Sequence, residues 1–269
     1  MIIRLISSQV ELNSFQRMSE YAEIQPEEET GNSSPSAGWP TSGRVEFRHV
    51  TARYNIDKGP DVLQDVSFST QRGERIALVG RTGSGKSTLG LSLLRFVPVT
   101  SGQIVIDGVD ISRIPLHRLR TSVTLIPQEP VLFSGNVHSN LDPFGECSDS
   151  ELQTALEACS TIQVHSGNRA GNGNQTTSLK LTSPVAANGE NFSQGQCQVL
   201  SLARALCRQS KVVLLDEATA SVDQETDAYM QKLLREMFPD STIIAIAHRL
   251  RTIMDYDRVV VMDKGRVIE

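Results

Sequence analysis

Gly80-Arg81-Thr82-Gly83-Ser84-Gly85-Lys86-Ser87 is the stretch whose reading decides this chain. It fits G-x-x-x-x-G-K-[ST], the loop whose backbone N–H groups cradle nucleotide phosphates. Its flanks suit that reading. Arg75-Ile76-Ala77-Leu78-Val79 is a short apolar run that reads as a buried strand. Thr88-Leu89-Gly90-Leu91-Ser92-Leu93-Leu94-Arg95 reads as the first turns of a helix. Glycines let N–H groups turn inward toward a polyanion, and the helix start adds its partial positive charge. Lys86 can reach the β- and γ-phosphates, and the Ser87 hydroxyl can bind Mg²⁺. Gly80, Arg81, Thr82, Gly83, Ser84, Gly85, Lys86, Ser87 and Thr88 are therefore candidate nucleotide-binding residues.

Composition narrows the class. The chain has 269 residues, 39% of them hydrophobic, enough for a real core. Its net charge of −5 argues against binding dominated by neutralising nucleic-acid phosphates, so no nucleic acid is expected as a partner. Cys147, Cys159, Cys197 and Cys207 show no C-x-x-C spacing and read as reduced thiols. Met1-Ile2-Ile3-Arg4-Leu5-Ile6 is too short an apolar run for a secretory signal. No stretch approaches the roughly 20 apolar residues of a membrane span.

Outward from the loop, residues 1 to about 24 carry apolar side chains at helical spacing and read as an amphipathic helix. A Pro-, Ser-, Gly- and acid-rich linker follows, Pro26 to Gly38, which cannot bury a core. The domain proper is expected from about Gly43, giving a leader of 1–42 and a domain of 43–269. Val45 to Val50 alternates like a half-buried strand, and Val62 to Ser69 reads as another. Residues 150–158 and 192–208 have helical spacing, and 165–178 reads as a polar loop. Residues 211–215 and 242–247 are β-branched apolar runs that suit central parallel strands. Strands alternating with helices imply an α/β sandwich around a mainly parallel sheet. The segment from about 130 to 205 is expected to be a helical subdomain.

A bound nucleotide also needs a carboxylate at the end of a buried strand to hold the Mg²⁺ shell. Val212-Val213-Leu214-Leu215-Asp216 supplies it, and Glu217 follows directly. Two adjacent acids suggest a division of labour, with Asp216 on the metal and Glu217 polarising an attacking water.

Further stretches resemble the motifs of ABC-type ATPases. Phe192-Ser193-Gln194-Gly195-Gln196 looks like the family's signature, close to Leu-Ser-Gly-Gly-Gln. Gln128 resembles the Q-loop glutamine, Ala220-Ser221-Val222-Asp223 the D-loop, His248 the switch histidine and Tyr54 the aromatic that stacks on adenine. They stand in the family's order between about 43 and 269. The resemblance implies a P-loop NTPase (RecA-like) core, an antiparallel β subdomain and a helical subdomain. It implies ATP and Mg²⁺ as cofactors, with Ser87, Gln128 and Asp216 at the metal and Glu217, His248 and Gln128 in catalysis. It also implies a head-to-tail dimer, in which Ser193, Gly195, Gln196 and Asp223 face the nucleotide of a second nucleotide-binding domain.

The subfamily narrows further. Asn140-Leu141-Asp142-Pro143-Phe144, Asn188-Gly189-Glu190-Asn191-Phe192-Ser193 and Leu215 to Asp223 resemble the second nucleotide-binding domain of C-subfamily (multidrug-resistance-associated) exporters. The leader, Leu12 to Tyr21, resembles the end of a last transmembrane helix and its linker. Gln194, where the common motif has glycine, is consistent with that subfamily's unequal ATP sites. The implied protein is an exporter with transmembrane domains of its own. The implied place of this chain is the cytoplasmic face of a membrane, and its end at Glu269 reads as a truncation. Two alternatives remain open at this point: a nucleotide-sensing regulatory domain and a soluble ABC ATPase.

Overall fold

The computed structural model describes residues 2–23, 27, 31, 35–55, 59–167, 179–216, 224–247 and 253–269. The side chains of 2–11, 160–167 and 224–227 are outside that description. Glu217, Asp223 and His248 lie outside the described residues. The chain divides into two compact units, 1–30 and 31–269.

The first unit holds helix α1 (Ile2–Ala22). On its second half Leu12, Phe15, Met18 and Tyr21 are all exposed, three residues apart. No helix among the described residues is long and apolar enough to cross a membrane.

The second unit opens on strands β1 (Val45–Ala52), β2 (Leu63–Ser69) and β3 (Arg75–Gly80), then helix α2 (Lys86–Leu93). Next come β4 (Val99–Ile106), β5 (Val109–Asp110), α3 (Leu116–Ser122), β6 (Val123–Ile126), β7 (Gly135–Asn136) and α4 (Val137–Leu141). They are followed by α5 (Asp149–Gly167), β8 (Pro184–Val185), α6 (Gln194–Arg208), β9 (Val212–Asp216), α7 (Gln224–Met237), β10 (Thr242–Ile246), β11 (Arg258–Asp263) and β12 (Arg266–Val267).

The central sheet has the order β12-β11-β3-β10-β9-β6. All its pairings are parallel except β11 with β12. Burial on both faces explains why its strands read as unbroken apolar runs rather than alternating ones. In β9, Val213 and Leu215 enter one apolar core while Val212 and Leu214 enter the other. Ile243 and Ala245 against Ile244 and Ile246 repeat that alternation in β10.

An antiparallel sheet of order β2-β1-β4-β5 closes the second core together with α2 and α3. The helices α4, α5, α6 and α7 close the first. The mainly parallel α/β core with antiparallel and helical parts is thus the architecture expected from sequence. The segment read as a helical subdomain carries α4, α5 and α6, and its core is continuous with one face of the sheet. The helix expected over 150–158 runs on as α5 to Gly167, so 165–167 are helical rather than loop.

The second unit starts ahead of the Gly43 boundary read from sequence. Trp39 is buried, and its Nε1 donates to Ile106 O at 3.0 Å. Asp107 then gathers the backbone N–H groups of Thr41, Ser42, Gly43 and Arg44 at 2.7, 2.8, 3.1 and 2.9 Å, as well as the Ser42 hydroxyl. Burial pushes the Asp107 carboxyl up, but the Ser42 hydroxyl and the N–H groups of Ser42, Gly43 and Arg44 outweigh it and hold the pKa below its usual value. A composition rich in Pro and Ser hid this anchor, because its partner lies more than sixty residues away.

Candidate functional site

Because β3, β10, β9, β6 and β11 run parallel, their carboxyl ends share one edge of the sheet. Ligands of open α/β sheets bind at that edge. The register is specific. Ile246 pairs with both Leu78 and Asp216, and Leu215 pairs with Ile126. The loop after Gly80, the carboxylate of Asp216 and the loop carrying Gln128 therefore leave the same edge of the sheet, from β3, β9 and β6, with β10 between the first two. Sequence spacing alone could not show that β10 lies between β3 and β9.

The loop folds as a turn into α2. Ser84 N–H donates to Arg81 O at 3.1 Å, and Leu89 N–H donates to Gly85 O at 2.9 Å. Gly85 is the N-cap residue, with φ 101°, a left-handed conformation that suits glycine. A Cβ there would also come within 2.9 Å of Leu63 Cδ2. No side chain caps the helix. First-turn N–H groups have no intrahelical partner, so those of this turn are left open to other acceptors. An eight-residue helix is too short to persist alone. It is held by packing: Leu89 and Leu93 are fully buried, each contributing about 2 kcal/mol.

Lys86 is buried, and its Nζ donates to Gly80 O at 2.8 Å and Arg81 O at 3.1 Å. The ammonium is thus folded over the mouth of its own loop. The Ser84 side chain is buried and its hydroxyl has no hydrogen-bond partner. An orphaned hydroxyl, an uncapped helix start and a lysine held inside one turn form a set suited to a polyanion. Arg81, Thr82, Gly83 and Ser87 are exposed around it. Tyr54 is 61% exposed, and its hydroxyl lies 3.2 Å from Thr88 Oγ1 in the first turn of α2. Its ring is bare while its hydroxyl end is placed, the arrangement a stacking platform needs. Asp216 is half-buried at the end of β9, and Gln128 is exposed.

Ser193 and Gln196 meet in a capping box at the head of α6. Ser193 Oγ accepts from Gln196 N–H at 3.3 Å, and Gln196 Oε1 accepts from Ser193 N–H at 2.9 Å. Gly195 is exposed with open space where a Cβ would stand. The turn before it is built by Asn191, whose side chain accepts from Ala186 N–H at 2.8 Å and donates to Pro184 O at 2.9 Å.

The Asn140 to Phe144 stretch carries structure that its sequence did not explain. Asn140 is buried, and its amide bonds Phe133 N–H, Phe133 O and Asn136 O at 2.8, 2.8 and 3.0 Å. Burial raises the Asp142 carboxyl, but the N–H groups of Cys147, Glu146, Phe144 and Gly145 more than offset it and hold the pKa low. The cysteines are free. Burial raises the Cys159 thiol and takes that of Cys207 up to about 12.

Comparison with known proteins finds relatives over nearly the whole chain. Residues 63–220 match the family described as ABC transporter. The chain is 47% identical over 268 residues to the ATP-binding cassette transporter abc4 of Schizosaccharomyces pombe, covering 98% of this chain and 18% of that protein. It is 46% identical over 238 residues to ABC transporter C family member 13 of Oryza sativa subsp. indica, covering 88% of this chain and 15% of that protein. Among solved structures, a bacterial Atm1-family ABC exporter with ATP bound superposes with a TM-score of 0.80 at 30% identity, covering 96% of this chain and 43% of that one. The chain thus spans less than a fifth of the length of these curated relatives.

Proposed function

Since the chain belongs to the ABC transporter family, we propose that it is the ATP-binding and ATP-hydrolysing domain that powers export in a full-length C-subfamily exporter. The loop and the first turn of α2 carry this reading: a buried lysine, an orphaned serine hydroxyl and an uncapped helix start in one turn. The length of the relatives, and the transporter and exporter names they bear, support a parent protein with transmembrane domains. The leader ahead of the Trp39 anchor is assigned to the connection from them, and the working position to the cytoplasmic face of the membrane. Val131, Phe133 and Phe144, exposed apolar residues on the segment behind Gln128, are assigned to contact with those domains.

In this reading the N–H groups of 80–88 and the Lys86 ammonium hold the triphosphate, and the ring of Tyr54 stacks on adenine. Ser87, Gln128 and Asp216 offer a hydroxyl, an amide carbonyl and a carboxylate, hard oxygen donors that suit Mg²⁺. Among the described residues no three His, Cys, Asp or Glu side chains cluster into a metal cage. Such a donor set fits a cation held jointly with phosphate oxygens. When bound, the cation neutralises developing phosphate charge. Glu217 orients the attacking water and takes its proton, and His248 holds the γ-phosphate end of the site in line. Ser193, Gly195, Gln196 and Asp223 serve the nucleotide of a second nucleotide-binding domain docked head to tail. In this reading Ser193 and Gln196 cap α6 through accepting oxygens, which leaves the Ser193 O–H and the Gln196 side-chain N–H groups to donate to phosphate as that interface closes.

Glu217→Gln tests the assignment. In the assembled transporter it should leave ATP bound while abolishing most turnover. Unchanged turnover removes Glu217 from that role.

A further inference from the structure

Arg204, midway along α6, contacts no carboxylate among the described residues. Its guanidinium spends its donors on the carbonyl oxygens of one segment. Nε donates to Asn140 O at 2.7 Å, and the two terminal nitrogens to Val131 O at 3.1 Å and Asn140 Oδ1 at 3.4 Å. Burial, and then the neighbouring Arg208, works against its cationic form. A cation kept in such a place has to be explained by what it holds.

What it holds is a compact segment. Asn140 binds Phe133 and Asn136 through its amide, so 133–140 is rolled around one buried side chain. The same segment is fastened a second time, to the turn that leads into Ser193. Gly135 pairs with Val185. Leu132 lies so close to Gly189 that a Cβ there would stand 2.7 Å from Leu132 Cδ1. At the other end only Glu129 and Pro130 separate Val131 from Gln128. Pro127 and Pro130 bracket that glutamine, and each proline fixes its own φ and restricts the residue before it. Glu129 and Pro130, the two residues that connect Gln128 to Val131, are therefore both conformationally restricted.

We infer that Arg204 is a positioning residue that makes the loop behind Gln128 and the helix headed by Ser193 one moving body. Nucleotide held at this chain's own loop is thereby registered at the signature it offers to the partner's nucleotide. The inference rests on the ATP reading of the site. Lysine is not equivalent to Arg204, because its ammonium lacks the planar fork whose Nε and terminal nitrogens reach Asn140 O, Val131 O and Asn140 Oδ1 at the same time.

Amide hydrogen exchange of the full chain, with and without saturating Mg-ATP, tests this alongside an ATP titration. Wild-type protein should slow by a factor of about 5 or more both at 131–140 and at 194–200, with one common ATP midpoint. Gln128→Ala, an exposed position that should fold, removes both responses at saturating ATP. Arg204→Lys should bind ATP within about twofold of wild type, because the substitution is remote from the nucleotide loop. It should keep the response at 131–140 and lose the one at 194–200. A role in stability alone would change exchange equally with and without ATP. The inference is overturned if Arg204→Lys keeps both responses, or if wild type responds at 131–140 alone. It is also overturned if Gln128→Ala leaves the response at 194–200, an outcome that decides even where Arg204→Lys does not fold. A wild-type chain that binds no ATP removes the functional reading and this inference together; one that binds ATP without the paired response removes only this inference.

Discussion

Lys86→Met is the perturbation whose size follows most directly from the structure. The side chain is 5% exposed and its Nζ already sits 2.8 Å from Gly80 O and 3.1 Å from Arg81 O. A phosphate oxygen about 3 Å from that ammonium gains roughly 5 kcal/mol of Coulomb energy at an effective dielectric of about 20. Desolvation of both groups reduces this to the net value of a charged hydrogen bond, about 1.5–3 kcal/mol. The two carbonyls compete for the same ammonium in the nucleotide-free protein, which favours the lower half of that range. A loss of about 2 kcal/mol weakens ATP binding about 30-fold. Methionine keeps the stem length and its packing, and the freed carbonyls of Gly80 and Arg81 are not fully buried, so the fold should lose only about 1 kcal/mol. Thermal unfolding of the chain at fixed ATP reads the effect. ATP at about 100 times the wild-type Kd stabilises wild type by about 2.7 kcal/mol and the variant by only about 0.9 kcal/mol. Adenosine should bind both proteins alike. Equal stabilisation of the two proteins by ATP, or a parallel loss of adenosine binding, would refute the placement of the triphosphate in this loop.

Two further outcomes are expected. Tyr54→Ala should weaken ATP at least about fivefold, because base stacking is worth about 1 kcal/mol or more. It should leave inorganic tripolyphosphate unchanged in calorimetric titration, and Tyr54→Phe should retain most of the affinity, since the ring stays and only the contact with Thr88 goes. Asp107→Ala should lower stability by about 2 kcal/mol, or roughly 4–8 °C in the unfolding midpoint, as four N–H groups lose a charged acceptor. The folded pKa of Asp107 lies below its value of 3.8 in the unfolded chain, so its contribution is complete above the unfolded pKa. It fades as pH falls through the folded value. Wild type and Asp107→Ala should therefore converge in acid denaturation once pH falls below the folded pKa of Asp107.

The loop at 80–88 was legible because its candidate chemistry is contiguous. Glycine spacing, the lysine and the helix start lie within nine residues, so local geometry alone brings them together. The parallel strands were legible for a similar reason, since burial on both faces demands unbroken apolar runs at 211–215 and 242–247. The anchor at Trp39 was not. A Pro- and Ser-rich composition describes a segment that has no core of its own, and says nothing about a turn at Asp107 that can capture it. Asn140 and Asp142 were visible as a family-like motif, but their work inside their own loop was not, because a buried amide and a buried carboxylate declare themselves only through partners. Arg204 has no such local signal, because the groups it holds lie more than sixty residues away along the chain.

The amino-acid sequence by itself determined which chemistry this chain carries: a phosphate loop, a strand-end acid pair and the order of the other motifs. Each rests on neighbours along the chain or on the period of one element, where bond geometry and hydrophobic spacing leave few choices. The tertiary structure decided which of these pieces meet. It set β10 between β3 and β9, laid the hydroxyl of Tyr54 against Thr88, and clamped the segment behind Gln128 to the helix of Ser193 through Arg204. Those meetings join residues tens of positions apart. They are fixed by strand register and by burial that must satisfy every polar group at once, and no window of sequence contains that condition.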